Sequence, residues 1–281
     1  MPFFPDNTTL CGPASLAAVL SFSGVSTNPA ALSPTVYLPG RQGALQIEML
    51  SAARRAGAVP YLLPPTQDAL AASLKAGYPV VVLLNLGLSF APSWHYAVLV
   101  GMEPAKGDEL FILRSGEQRR QLMPAYTFKK TWERSGRWAM IVSSPEKIPA
   151  FLPQAALIDA LVKFERSAPG DLAVTAYSSA IAAGVKDPVL QMGLANAQEK
   201  QGRLEEAMDI WRGLMEQQKD LAAGVNFVSA LEKQGRSVEA VAAACDLLKS
   251  VDQAQAPVAM KILATEKLRN LLARNGGHCT R

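Results

Sequence analysis

The pattern of apolar residues changes near residue 150, and this change constrains the fold more than any other feature of the chain. Before it, the sequence predicts three helices and a set of strands whose β-branched and aromatic content favours an antiparallel sheet. The predicted helices cover about residues 13–23, 45–56 and 66–76, and the predicted strands about 59–62, 80–84, 96–101, 109–114 and 138–142. This order predicts an α+β domain in which the sheet largely follows the helices.

Three prolines between residues 145 and 153 mark the place where the pattern changes. Proline clusters interrupt regular structure and are typical of linkers. We therefore predict a first domain over residues 1–145, a linker over 146–153 and a second domain over 154–281. A chain of 281 residues is long enough for two domains, since one domain usually takes about 100–200 residues.

The second domain has an all-helical pattern with an internal repeat. Gly202 aligns with Gly235, and Ala207 with Ala240, at a spacing of 33 residues. A glycine that closes the first helix of a pair and a small alanine that allows close packing on the second are typical of tetratricopeptide repeats. We predict three repeats followed by a capping helix at about residues 256–274, which meets the requirement of about three units for a stable stack.

Composition and charge exclude several classes of protein. An apolar share of 49% is typical of compact globular chains and not of disordered ones. The net charge of +4 comes from scattered basic residues without an aromatic-basic cluster, so no nucleic-acid partner is expected. The longest apolar run, residues 80–88, is far shorter than the roughly 20 residues needed to cross a bilayer, so no transmembrane segment is expected.

The chain has three cysteines, Cys11, Cys245 and Cys279. Their odd number and wide spacing, without a Cys-x-x-Cys pair, predict neither a disulfide framework nor a zinc site. Cys245 falls in an alanine-rich helical pattern and is predicted to be a core residue, whereas Cys279 is predicted to be an exposed terminal residue. The sequence implies no metal and no cofactor.

Cys11 is the strongest candidate for a reactive group. It precedes Gly12 and Pro13 at the start of a predicted helix, where the helix N-terminus lowers the pKa of a thiol and favours the nucleophilic thiolate. His95 begins a strand-like run far downstream. A cysteine on a helix start followed in the chain by a histidine on a strand is the order of papain-like cysteine peptidases. The plain alternatives are an inert core cysteine and a structural histidine at a strand edge.

Local motifs narrow this interpretation to one branch of cysteine peptidases. The motifs are PFFP at residues 2–5, CGPASL at 11–16, YLPGRQG at 37–43, HYAVLVG at 95–101 and LRSG at 113–116. Together they resemble the bacteriocin-processing (double-glycine-leader) branch, family thirty-nine. In particular, the chain resembles the bacterial subgroup in which that peptidase domain is followed by tetratricopeptide repeats.

The resemblance implies an α+β papain-like peptidase domain followed by an all-α tetratricopeptide domain. It implies that Cys11 is the nucleophile and that His95 is its base or imidazolium partner. Members of the family are often exported, commonly as lipoproteins, and no secretory signal is visible in this sequence. We therefore expect a bacterial protein that is periplasmic or lipoprotein-anchored if a leader has been trimmed, and cytoplasmic otherwise.

Two positions depart from the family pattern. The glutamine that donates to the oxyanion in the family has Asp6 in its place, and a carboxylate accepts hydrogen bonds where an amide donates them. Asn7 is a substitute donor if the loop is shifted by one residue. The residue that orients the histidine corresponds to Ser115, with Glu117 and Asp108 as weaker candidates. A hydroxyl can hold the ring but stabilises an imidazolium less than a carboxylate does.

Three functions are compatible with the sequence. The first is a peptidase that hydrolyses peptides through Cys11 and His95. The second is a catalytically inactive protein that still binds a peptide in the substrate cleft of the peptidase fold, which the departures at Asp6 and Ser115 favour. The third is an adaptor that binds a protein partner through the concave face of its tetratricopeptide array, with the first domain as a cap.

Overall fold

A computed structural model describes residues 1–6, 10–41, 43–105 and 108–279. The chain divides into two compact units, Met1–Val185 and Lys186–Arg281. This division lies beyond the predicted linker, because the two helices that follow the linker belong to the first unit. The domain assignment made from the sequence remains a prediction. No helix in the described part of the chain combines the length and the apolar character that crossing a membrane requires.

The first unit contains both helices and strands. Its helices are α1 (Cys11–Phe22), α2 (Pro29–Val36), α3 (Gln46–Arg55), α4 (Gln67–Lys75), α5 (Ala125–Glu133), α6 (Gln154–Glu165) and α7 (Leu172–Ala182). Its strands are β1 (Tyr37–Leu38), β2 (Gly43–Ala44), β3 (Val59–Leu62), β4 (Val80–Asn85), β5 (Trp94–Ala105), β6 (Asp108–Ser115), β7 (Gln118–Pro124) and β8 (Ala139–Ser143).

Six strands form one antiparallel sheet in the order β3-β8-β4-β5-β6-β7, and β1 pairs with β2 in a separate hairpin. The prediction of an α+β unit with an antiparallel sheet is confirmed. Strands β4 and β8 are buried along their whole length, which explains why every residue except the last of each strand is apolar. Strand β5 pairs with β4 so that His95 lies opposite Leu84. This pairing fixes the place of the histidine on the sheet.

Helix α1 is buried on nearly all sides. Leu16, Val19 and Leu20 lie in the same apolar core as Val98 of β5 and Met140 of β8. A helix that is apolar all round needs cover on every face. Helices α2 and α3 and the sheet provide this cover, so α1 and the cysteine at its start are held firmly against β5.

The second unit is helical. Its helices are α8 (Pro188–Lys200), α9 (Leu204–Gln218), α10 (Leu221–Lys233), α11 (Ser237–Ser250) and α12 (Val258–Arg274). Neighbouring helices pack in hairpins, and Gly202 and Gly235 hold equivalent places after α8 and α10 with φ of +76° and +73°. Ala207 and Ala240 are fully buried in the shared core. The prediction of a helical region is confirmed, and its assignment as tetratricopeptide repeats remains a prediction.

The cysteines of the second unit correct one expectation. Cys245 of α11 and Cys279 of the C-terminal tail form a disulfide bond, with a Cα–Cα distance of 5.3 Å. The prediction of no disulfide was therefore wrong, whereas Cys245 does lie in the core and Cys279 is an exposed terminal residue. The reason is that α12 runs back along α11 and returns the tail to Cys245, a proximity that sequence spacing does not reveal. Cys11 is the free cysteine.

Candidate active site

Cys11 is the first residue of α1 and is half-buried. Its neighbour Gly12 explains how the helix start can approach the β1–β2 hairpin. A Cβ atom on Gly12 would lie 2.6 Å from the Cβ atom of Ala44, which is closer than real Cβ contacts. Glycine is therefore required here by the close approach of α1 to β2.

The protonation of Cys11 differs from the expectation. Burial raises the pKa of the thiol above its usual value, and the charge of Asp6 adds to the rise. The backbone N–H groups of Tyr96, Gly12 and Cys11 itself oppose it, and the first of these is the strongest. The prediction that the helix N-terminus would lower this pKa was wrong for the net effect. The helix start does act in that direction, but loss of solvation outweighs it.

His95 is the second residue of β5, and its Nε2 lies 2.8 Å from Oγ of Ser115 at the end of β6. Burial lowers the pKa of His95, and the charge of Asp6 opposes this effect. Burial thus acts in opposite directions on the two groups and favours a neutral thiol and a neutral imidazole. The structure brings His95 together with Ser115, the residue that the sequence comparison placed in the orienting position.

Asp6 lies beside Cys11 and Ser115. Its backbone N–H donates to the carbonyl oxygen of Gly116 over 3.0 Å. The guanidinium of Arg114 donates to the carbonyl oxygens of Met1 and Pro2, so the segment before α1 is attached to the end of β6. Asp6 and Cys11 both line a small cavity of about 20 Å³. The acidic side chain is therefore close enough to act on the pKa of the thiol and of the imidazole.

The other candidates are placed as follows. Asn7 lies outside the described residues. Glu117 lies in the β6–β7 turn and is exposed, and the hydrogen bond of His95 goes to Ser115. Asp108 begins β6 at the opposite end from Ser115, roughly 20 Å away for a strand that rises about 3.3 Å per residue. Ser115 is thus the candidate that the structure places at the imidazole.

Cys11 and His95 line one open cleft with a volume of about 1000 Å³. One wall consists of the β1–β2 hairpin and the start of α3. The other wall consists of the segment between β4 and β5 together with Ser135. The remaining lining residues are Arg41, Gly43, Ala44, Leu45, Gln46, Leu83, Leu86, Pro92, Ser93, Trp94 and Tyr96. Trp94 has 55% of its surface exposed, so it belongs to the cleft wall and not to the core.

Hydrogen bonds of Asn85 in the β4–β5 connection beside this cleft were not predicted from the sequence. The side chain of the buried Asn85 accepts hydrogen bonds from the N–H groups of Gly87 and Ser93, each over 3.0 Å. Arg134 donates to the carbonyl oxygen of Asn85. These bonds hold the β4–β5 connection beside the cleft. An amide that interrupts an otherwise apolar strand just before a glycine is the signal that could have identified it.

A protein-family comparison matches the N-terminal part of the chain. Residues 1–140 match the Peptidase_C39 like family. The match covers the elements that carry Cys11, His95 and Ser115, and it supports a cysteine peptidase-like function for the N-terminal α+β domain. It does not extend into the helical region. No curated protein matches the chain.

Among solved structures, a crystal structure described as a C39-like peptidase from Bacillus anthracis is similar to part of the chain. The sequence identity is 18% and the TM-score is 0.40. The similarity covers 51% of this chain and 94% of that chain. In the described part of the chain, no cluster of three or more histidine, cysteine, aspartate or glutamate side chains could hold a metal ion.

Proposed function

We propose that the N-terminal α+β domain is a cysteine peptidase that hydrolyses peptides, with Cys11 as nucleophile and His95 as general base. The observation that carries this proposal is that Cys11 and His95, from α1 and β5, line the same cleft within a peptidase-like domain. The cleft is open and large enough for an extended peptide.

The geometry suggests a division of roles within the imidazole of His95. Its Nε2 is engaged with Ser115, which leaves Nδ1 to take the thiol proton. For Nδ1 to act as the base, Nε2 must carry a proton and donate it to Oγ of Ser115. Ser115 is then a positioning residue, since it selects the tautomer and holds the ring plane.

The reaction starts from the neutral pair that burial favours. His95 removes the proton from Cys11 as the sulfur attacks the substrate carbonyl carbon, and the resulting oxyanion faces the start of α1. The backbone N–H of Cys11 and the positive end of the helix stabilise it. When the tetrahedral species collapses, the C–N bond breaks and the protonated His95 gives its proton to the leaving amine. Water, activated by His95, then attacks the acyl-enzyme and releases the acid.

A peptide-cleavage assay with matched variants tests this proposal. The full chain is incubated with a mixture of internally quenched peptides, and turnover is compared with that of Cys11→Ala and Val238→Ala. Cys11→Ala is expected to remove all turnover, whereas Val238→Ala, at an exposed position of α11, retains the nucleophile and is expected to keep it. Turnover that survives in Cys11→Ala would contradict the proposal.

The alternative is a catalytically impaired protein that binds peptides in the same cleft. The position of Asp6 favours it, because its carboxylate raises the pKa of Cys11 and would repel a developing oxyanion. In that case labelled peptides bind the wild type and Cys11→Ala equally well, and neither protein cleaves them. Time-resolved mass spectrometry of the bound peptide separates the two functions.

For the helical region, we propose tetratricopeptide-mediated binding of a protein partner. The α10–α11 hairpin repeats the α8–α9 hairpin at a regular spacing along the sequence, which supports this proposal. Stacked helix pairs of this kind form concave binding surfaces. We also propose that the protein works in an oxidising compartment such as the periplasm. The bond between Cys245 and Cys279 supports that location, because disulfides persist where thiols are not kept reduced.

A further inference from the structure

We propose that Arg41 makes this site selective for substrates that carry a carboxylate next to the scissile bond. The carboxylate can come from an aspartate or glutamate side chain or from the C-terminus of the peptide. This inference rests on the proposed peptidase function, because it assigns a substrate class to the cleft that holds Cys11 and His95.

The first argument is the charge of the cleft wall. Apart from the reactive pair, the described residues that line the cleft are apolar or uncharged, with the single exception of Arg41. No aspartate or glutamate belongs to the lining within the described part of the chain. A bound peptide would therefore meet apolar walls and one guanidinium, a combination that favours an apolar segment with one carboxylate.

The second argument is that Arg41 is available for a ligand. Two other arginines near the cleft are engaged with backbone carbonyl oxygens, Arg114 with those of Met1 and Pro2 and Arg134 with that of Asn85. Arg41 is exposed, and among the described residues no carboxylate forms an ion pair with it. A guanidinium can bind a carboxylate through two parallel N–H···O bonds.

The third argument is the position of Arg41 relative to the nucleophile. Arg41 lies in the turn between β1 and β2, and β2 is attached to the elements that carry the reactive pair. The hydroxyl of Tyr96 donates to the carbonyl oxygen of Ala44 over 3.3 Å, and Gly12 packs against the same alanine. The hairpin therefore has a fixed place beside Cys11, and because Arg41 and Cys11 line the same cleft, the guanidinium can contact a peptide bound at the nucleophile.

The test compares peptides that differ only in charge. One arm uses amidated peptides with glutamate, glutamine or lysine beside an otherwise identical apolar sequence. A second arm uses the glutamine peptide with a free or an amidated C-terminus. In the arm whose carboxylate Arg41 recognises, we expect the carboxylate-bearing peptide to be cleaved with a kcat/KM about tenfold higher than that of the matching neutral peptide. We expect this difference to shrink at high salt.

Three variants identify the residue that is responsible. Arg41→Glu is expected to abolish or invert the preference, and Arg41→Lys is expected to keep most of it. Arg55→Glu makes the same charge change at the far end of α3, outside the cleft lining, and is expected to leave the preference unchanged. An unaltered preference in Arg41→Glu, or equal cleavage of all peptides by the wild type, would overturn the inference.

Binding separates this inference from the proposed activity. Fluorescence anisotropy with the Cys11→Ala protein measures the affinity for the same labelled peptides without turnover. An affinity that depends on the carboxylate and on Arg41, in a wild type that cleaves nothing, would reject the peptidase function and keep the selectivity. Absence of any charge-dependent binding or cleavage would reject the selectivity itself.

Discussion

At the scale of single residues, Asp6 is the charged side chain that acts on both Cys11 and His95. Its charge raises the pKa of both Cys11 and His95, although burial is the larger cause and moves the two pKa values in opposite directions. Because the thiolate is the nucleophile, a raised thiol pKa means that less of it is present at a given pH. Removing the charge of Asp6 should therefore make Cys11 more reactive.

The reactivity of Cys11 towards iodoacetamide across pH tests this electrostatic effect. We expect the wild-type midpoint above the ordinary thiol value of about 8.5, since burial dominates, and we expect Asp6→Asn to move it to lower pH. Glu117→Gln removes a nearby charge that is exposed in the β6–β7 turn, and should leave the midpoint in place. An identical midpoint in Asp6→Asn and the wild type would show that Asp6 does not act on the thiol.

Catalytic rate tests the second consequence of Asp6. If its carboxylate faces the developing oxyanion, Asp6→Gln should raise turnover of a peptide ester by about tenfold or more, up to the roughly 10²–10³-fold effect typical of one oxyanion donor. Cys11→Ala in the same background must abolish the gain. If Asp6 instead caps the start of α1, the substitution lowers stability by about 1 kcal/mol without a gain in rate. Rate and melting temperature of both variants decide between these roles.

At the scale of elements, the sequence predicted those whose pattern is local. Strand β3 matches its prediction, and α1, α3 and α4 differ by only one or two residues at their ends. Strand β7 was missed because its residues are mostly polar and exposed. Helix α5 was missed although Phe128 and Trp132, four positions apart, carry the helical spacing of buried residues.

The candidate site shows the same difference between features that follow from local sequence and features that depend on tertiary packing. Residue types and chain order placed Cys11 and His95 in one interpretation, since helix starts and strand ends can be inferred locally, and the resemblance to cysteine peptidases added Ser115. The pKa of Cys11 could not be inferred in this way, because it depends on burial beneath the sheet and the β1–β2 hairpin. The pairing of Cys245 with Cys279 likewise depends on how α11 and α12 pack, which no local pattern records.

The contact between α1 and β2 gives a prediction about how the cleft is built. Gly12→Ala would place a methyl group against Ala44, so α1 or the hairpin must move, at a cost of about 1–3 kcal/mol for overpacking. We expect a lower melting temperature and weaker turnover. Gly40→Ala serves as the matched control, because a Cβ atom there meets nothing within 4 Å among the described residues. Equal behaviour of the two variants would show that the close approach is unimportant.

Helix packing in the second unit gives a prediction of the same kind. Ala207 is fully buried in the core of the helical unit, so Ala207→Arg forces a long, charged side chain into a site without room for it. We expect a loss of at least about 2 kcal/mol in stability, measured by circular dichroism during thermal unfolding. Val238→Arg, at a position that is 85% exposed on α11, should leave the transition almost unchanged. A melt unaffected by Ala207→Arg would contradict the repeat assignment.

At the scale of the whole molecule, the chain combines two ways of maintaining its structure. The first unit depends on a large apolar core around α1 and the sheet, and its cysteine is free. The helical unit closes its C-terminal end with a covalent bond between α11 and the tail. The two units should therefore respond differently to reductant, since reduction removes a constraint from one and leaves the other's core intact.

Thermal unfolding with and without dithiothreitol tests this difference. The bond closes a loop across a sequence separation of 34 residues, for which the chain-entropy account gives about 3–4 kcal/mol. Reductant should therefore lower the melting temperature of the helical unit by roughly 10 °C or more, and Cys245→Ser/Cys279→Ser should melt at the lower temperature in either buffer.

Cys11→Ser keeps the bond and should respond to reductant as the wild type does. Under denaturing conditions, a thiol reagent should modify one cysteine before reduction and three after it. Three reactive thiols in the unreduced protein, or a melt indifferent to reductant, would show that Cys245 and Cys279 are not joined and would remove the support for an oxidising compartment.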